Sequence, residues 1–463
     1  MNSMKTPPEN QQLSRQLCEA VAESAWEVVP SEVRHEVRRS LLNYFAVGFA
    51  GATDPTIDIV VDTLAPFAAN GTAQLIGRAE RTDILNAAAL NAMSANVFDF
   101  DDTHEGTVIH PTGPVAAALL AHAQQHGLSG QAFAHALLLG IEVECRVGNA
   151  ISPGHYARGW HITSTCGVLG SALAVGHALQ LSAQQLLWAL GAASNQACGL
   201  VETLGTMAKS TSVGNAARNG LLSALLAARQ FTGPDQPLEG PRGFLQVMGQ
   251  APELSCISEG WGQHWEVMRN SYKPYPCGVV LNPVIEACLE LARQKDLPGR
   301  LQDLVSIELT GHPLLRQRTD RPDVRTGRAS QVCAQHAVAV SLLRGRAGLA
   351  EFSDAAVQDP NIRSLGRLLQ FRDDPAYAID AATVTLRFQH GPAKSLHIEH
   401  AKGSVSHPLT DTDIEDKFHA LSARHLDRDQ ALRLIDNIWN VERMDNIAQL
   451  MKDAAIPIPA RLR

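Results

Sequence analysis

Twelve residues, Asp99 to His110, hold four carboxylates (Asp99, Asp101, Asp102, Glu105) and two imidazoles (His104, His110), directly after an alanine-rich run. Titratable groups beside apolar sequence are costly to bury unless something uses them. Carboxylates and imidazoles together suit proton transfer or a metal ion. A plain acidic loop between two helices would also carry such charges. Phe98 and Phe100, interleaved with the acids, argue against it, and His110-Pro111-Thr112-Gly113-Pro114 sets His110 just ahead of a new helix. The spacing matches neither HExxH nor a two-metal signature, so no metal is expected.

Two further segments weigh toward proton chemistry. Gly159-Trp160-His161 places His161 at a helix start. Lys209 precedes a helix expected from Val213, where Ser210, Thr211, Ser212 and Gly214 would offer hydroxyls and N–H groups to a carboxylate. A second fixed cation, Lys273, stands between Tyr272 and Pro274. Alone, each reads as a core histidine or a surface lysine. Together they read as a small-carboxylate site: Lys209 and Lys273 hold the anion and His161 is the base. His110 is the partner acid, oriented by Asp99 or Asp101, with Tyr272 or His336 as substitutes. An imidazole base of ordinary pKa, about 6.5, predicts an acid limb in the rate near pH 6–7.

These residues need a frame. Val33, Val37, Leu41 and Phe45 recur at helical spacing after Ser31. Helices are expected over 82–98, 113–126, 129–151, 162–180 and 213–230, and Ser182 to Gln185 reads as a capping box. Small residues crowd these helices. Near residue 270 the character changes: Lys273-Pro274-Tyr275-Pro276 cannot be helix interior. A helix over 279–294 follows, then strand-like alternation at Val305-Ile307-Leu309, Val384-Leu386-Phe388 and Leu396-Ile398, with helices over 331–343 and 355–369 between. From Asp411 the chain is helical again and returns to the first unit. The expected fold is multidomain: a large all-α domain, residues 1–268 together with 404–463, and a smaller α+β lid domain, 269–403.

Composition excludes other classes. The net charge is −8 without a basic block, so neither nucleic acid nor an anionic membrane is expected as a partner. No run approaches the ~18 apolar residues of a membrane span, and Met1 to Gln12 reads as a polar tail rather than a signal peptide. Eight cysteines without a CxxC pair read as reduced thiols of a cytoplasmic protein.

The motifs resemble, in order, those of the MmgE/PrpD family. This family includes 2-methylcitrate dehydratase, cis-aconitate decarboxylase and iminodisuccinate epimerase. Asp99-Phe100-Asp101-Asp102-Thr103 with His110-Pro111 is similar to its acidic motif. Gly159-Trp160-His161 with Thr163 and Thr165, Lys209 with the helix around Gly214 to Gly220, and Lys273-Pro274-Tyr275-Pro276-Cys277 match its later elements. The resemblance implies a helical domain with an α+β lid, homodimers, and no metal or organic cofactor. It implies a site built from Asp99, Thr103, His110, His161, Lys209 and Lys273, with His336 standing where the decarboxylase branch carries a tyrosine. Asp101, Ser210 and Tyr272 complete the expected substrate contacts. The expected activity is a cofactor-independent, dehydratase-like lyase that removes a proton beside a carboxylate of a small di- or tricarboxylate. Epimerisation of an amino- or imino-dicarboxylate is the alternative by the same step. A metal-dependent hydrolase using Asp99, Asp101, Asp102, His104 and His110 is the rival of another class, and a non-catalytic helical scaffold a third.

Overall fold

A computed structural model describes residues 12–68 and 71–456; the polar tail lies outside them except for Gln12. The helical part is built on α1 (Ser31–Gly51), α2 (Ile84–Asn96), α3 (Thr112–His126), α4 (Gly130–Ile151), α5 (Ile162–Ala178) and α6 (Ala208–Ala228). Local sequence explains their starts. The Asp83 carboxylate accepts from Leu85 N and Asn86 N ahead of α2, and Ser129 Oγ accepts from Ala132 N ahead of α4. The Ser182–Gln185 capping box is present. α6 begins five residues before the expected Val213, so Ser210 and Ser212 lie in its first turns rather than ahead of it.

The second core lies around a four-stranded mixed sheet, and its residues run from Cys277 to Ala401. It is covered by α7 (Asn282–Ala292) and receives α8 (Pro313–Thr319) and α9 (Ala334–Arg344). Two two-residue strands, β1 (Thr103–His104) and β2 (Asn270–Ser271), pair antiparallel. The sheet has β3 (Leu304–Gly311), β4 (Leu369–Asp373), β5 (Ala382–Phe388) and β6 (Lys394–Ile398), in the order β4-β3-β5-β6, with β3–β4 parallel and the other pairs antiparallel. Alternation in β5 buries Val384, Leu386 and Phe388. The helix expected over 355–369 is instead two short helices, Asp354–Gln358 and Pro360–Gly366, divided where Pro360 removes a donor. The chain then enters β4, which the sequence pattern did not reveal.

α10 (Asp411–Ser422) carries the chain back to the helical core, where Ile414 and Phe418 join the cluster holding Leu41, Phe45 and Phe49. There are thus two domains, a large helical one and one with a mixed sheet and helices. No helix among the described residues is long and apolar enough to cross a membrane, and all eight cysteines are free.

Small residues let α5 and α6 cross closely. A Cβ on Gly220 would stand 2.4 Å from Ser171 Cβ and 2.9 Å from Ala172 N and Val168 O. Backbone cannot yield as a flexible side chain does, so Gly220→Ala should force the helices apart. The expected cost is about 1–3 kcal/mol, read as a lower denaturant midpoint at unchanged slope. An unchanged midpoint would mean the crossing is looser than this geometry.

Candidate active site

The β1–β2 ladder brings the acidic segment against the Lys273 segment: Thr103 pairs with Ser271, His104 with Asn270, and Ser271 Oγ donates to Thr103 O. Asp99 lies just upstream in a left-handed conformation, φ +52°, which aspartate tolerates better than most residues. Three anchors hold this stretch. Lys417 Nζ, arriving on α10, donates to Asn43 Oδ1, Phe100 O and Lys273 O at 2.8–2.9 Å. Arg328 Nη1 donates to Val97 O, and Gln331 Nε2 to Phe98 O, both from the sheet domain.

So held, Asp99 Oδ1 accepts from Lys209 Nζ at 2.7 Å and Lys273 Nζ at 3.2 Å, and Lys273 Nζ also donates to Asp99 O. His110 Nε2 is 3.5 Å from the same Oδ1. Burial alone would raise the Asp99 pKa, but Lys209, Lys273 and then His110 outweigh it and hold the carboxyl well below its ordinary range.

The hydrogen bonds assign both imidazole tautomers. His110 Nδ1 donates to Asp102 O at 2.7 Å, leaving Nε2 as the acceptor. Around His161, Ser164 Oγ donates to His161 O and Ser212 Oγ donates to Lys209 O. Each hydroxyl proton is thereby used, so these oxygens, 3.2 and 3.4 Å from His161 Nδ1, accept from it. His161 Nε2 keeps its lone pair. Burial lowers His110 to about 4 and, with the Lys209 charge adding to it, lowers His161 to about 3. Both rings are neutral at working pH, which corrects the expectation of an ordinary base with its limb near pH 6–7.

Asp99, Thr103, His110, His161, Lys209 and Lys273 line one cavity of about 160 Å³ between the domains. That is well below the roughly 300–1,000 Å³ of a drug-sized site. Tyr156, Arg318 and Arg321 line it too and were not foreseen. Four expected contacts lie elsewhere. Tyr272 precedes Lys273 on extended chain, so the two face opposite ways: its hydroxyl lies 2.8 Å from Ser40 Oγ and donates to Glu36 at 2.5 Å. His336, in the first turn of α9, donates from Nε2 to Glu351 O at 2.8 Å beside a different cavity. Ser210 Oγ turns to Asn96 Oδ1. Asp101 is buried behind His110, with Oδ2 accepting from Asn96 Nδ2 and Oδ1 3.5 Å from His110 Nδ1, so it can orient the ring rather than touch a ligand.

The metal reading meets the same geometry. His104 is bonded to Thr107 and Glu266, and Asp102 Oδ2 accepts from Thr112 and Asn270. Burial raises the Asp102 carboxyl to about 7. Asp99, Asp101 and His110 still offer atoms within 4.8 Å of one another. Two ammonium groups on Asp99 Oδ1 oppose a dication there by simple repulsion.

Residues 15–257 match the MmgE/PrpD N-terminal domain and residues 275–442 the MmgE/PrpD C-terminal domain. A cis-aconitate decarboxylase of Aspergillus terreus is 25% identical, with 97% of each chain covered. The cis-aconitate decarboxylase of Homo sapiens is 26% identical over 89% of this chain and 88% of its own, and that of Mus musculus 25% over 90% and 88%. Both domains, in their order and nearly throughout, thus place the chain in the MmgE/PrpD family.

Proposed function

We propose that this chain is a cofactor-independent lyase of a small tri- or dicarboxylate, working by proton transfer at the carbon beside a carboxylate. One observation carries the reading: two neutral imidazoles present lone pairs to a cavity whose lysines are already assembled around Asp99. A resting site with lone pairs rather than protons suits removal of a proton first, hence elimination of water from a β-hydroxy acid. Lys209 and Lys273 would stabilise the charge that develops on the substrate carboxylate. The entering polyanion raises the proton affinity of the imidazoles, so that His161 takes the proton to Nε2. The departing hydroxyl takes a proton from an ammonium group, from Tyr156, or from His110 once it is protonated in the complex.

A second reading is decarboxylation of an unsaturated tricarboxylate. The names of the relatives support it. It reverses the proton's direction: carbon dioxide leaves and a protonated imidazole delivers the proton to carbon. Epimerisation uses the same first step and returns the proton to the opposite face.

Purified protein incubated in deuterated water with cis-aconitate, β-hydroxy tricarboxylates and amino-dicarboxylates distinguishes these by NMR. The expected result is turnover of a tricarboxylate with deuterium exchanged or incorporated beside a carboxylate. Turnover of only esters, amides or phosphates, dependent on added divalent metal, would overturn the reading.

On that substrate, His161→Gln should lower kcat about 10²–10⁴-fold with a much smaller change in KM. The pH profile follows from the lowered imidazoles. A base is lost when it protonates, so kcat/KM should hold level from pH 8 to 5 and fall only as pH drops toward about 4 or 3. A limb at pH 6–7 that disappears in the His161 variant would contradict the neutral, desolvated ring.

A further inference from the structure

Four cationic side chains line the cavity, Lys209, Lys273, Arg318 and Arg321, against one carboxylate, Asp99. The lysines already share that carboxylate. The arginines do not. Among the described residues neither guanidinium is in an ion pair, whereas their neighbour Arg316 pairs with Asp373 at 3.1 Å. Asp320, between them in sequence, is engaged by Gln335 Nε2. Both arginines belong to the sheet domain, on α8 and in the turn after it, and both reach across to the helical domain. The Arg318 guanidinium lies over the Tyr156 ring, 5.0 Å from its centroid. Arg321 Nη1 stands 3.8 Å from where a Cβ on Gly205 would be, on the loop that leads into Lys209.

We propose that Arg318 and Arg321 are specificity-determining residues that bind the substrate carboxylate farthest from Lys209 and Lys273, with Tyr156 positioning Arg318. This rests on the carboxylate-lyase reading above. A guanidinium presents paired N–H donors to a carboxylate, and an aromatic face beneath it limits its rotamers while leaving the donor edge free. The lysines, emerging from the opposite wall, hold the reacting end. A ligand with carboxylates at both ends then bridges the two domains, and one lacking the distal carboxylate leaves two desolvated cations unpaired. Selection between a tricarboxylate and a shorter dicarboxylate follows from that penalty, not from the size of the cavity.

Calorimetric binding of cis-aconitate and of maleate, which keeps the cis double bond and lacks the third carboxylate, tests this. Wild-type protein should bind cis-aconitate the more tightly. Arg318→Ala and Arg321→Ala should weaken cis-aconitate about ten- to a hundredfold and change maleate less than about threefold, with unaltered melting temperature. Arg318→Lys should restore part of the loss. Tyr156→Phe, which keeps the ring, should bind as wild type, and Tyr156→Leu should resemble a weaker Arg318→Ala. For the substrate found by NMR, KM should rise in the arginine variants while kcat stays within about threefold. Equal losses for both ligands, no loss for either, or a fall in kcat at constant KM would each overturn the assignment. Wild-type protein that turns over no polycarboxylate and binds neither ligand removes the carboxylate-lyase reading, and this assignment with it. Wild-type turnover with unaffected arginine variants removes this assignment alone.

Discussion

The site depends on one buried carboxylate shared by two ammonium groups. Asp99 recruits Lys209 from 110 residues downstream and Lys273 from 174 residues downstream onto a single oxygen. A carboxylate so enclosed stays ionised only because those cations surround it. The pair of like charges is in turn tolerable only because Asp99 lies between them. Ion clusters of this kind contribute little net stability, since desolvation offsets the attraction. Their effect is positional: two cations from separate segments stand beside two imidazoles before any substrate arrives.

The rest of the fold serves that placement. The β1–β2 ladder fixes the register between the acidic segment and Lys273. Lys417 ties Phe100 and Lys273 to α1, which gives the return of the chain through α10 a direct bearing on the site. Arg328 and Gln331 reach over from the sheet domain to the carbonyls just before Asp99. Val108, a β-branched residue at φ +60° on the cavity wall, shows how tightly the loop between β1 and α3 is held. Such a conformation costs of order 1–3 kcal/mol and persists where the surroundings over-determine it.

Much of this was legible in the sequence, for identifiable reasons. Asp99, His110, His161, Lys209 and Lys273 stood out because their types lie in segments where apolar residues, proline or glycine constrain the backbone. What stayed hidden was direction and distance. Tyr272 and Lys273 are neighbours with equal chemical appeal, and only strand register decides which one faces the cavity. His336 was assigned by correspondence with a family tyrosine, while the first turn of α9 points its ring at the Glu351 carbonyl. Arg318, Arg321 and Lys417 look like any surface cation until tertiary structure brings them together. Strand β4 has few buried residues, so its pattern carried almost no signal, and Pro360 was passed over as a helix breaker. The imidazole pKa values were misjudged because burial and the nearby lysine charges are three-dimensional quantities.

The central claim is that Asp99 organises the cations rather than merely adding negative charge to the cavity. Titration calorimetry of Asp99→Asn with cis-aconitate tests it. Charge alone predicts tighter binding, because an anion near the ligand has been removed. The organising role predicts the opposite: Lys209 and Lys273 lose their common acceptor, repel each other, and bind the ligand more weakly than in the wild type. Weaker binding by the folded variant supports the account. Binding as tight as or tighter than wild type would contradict it.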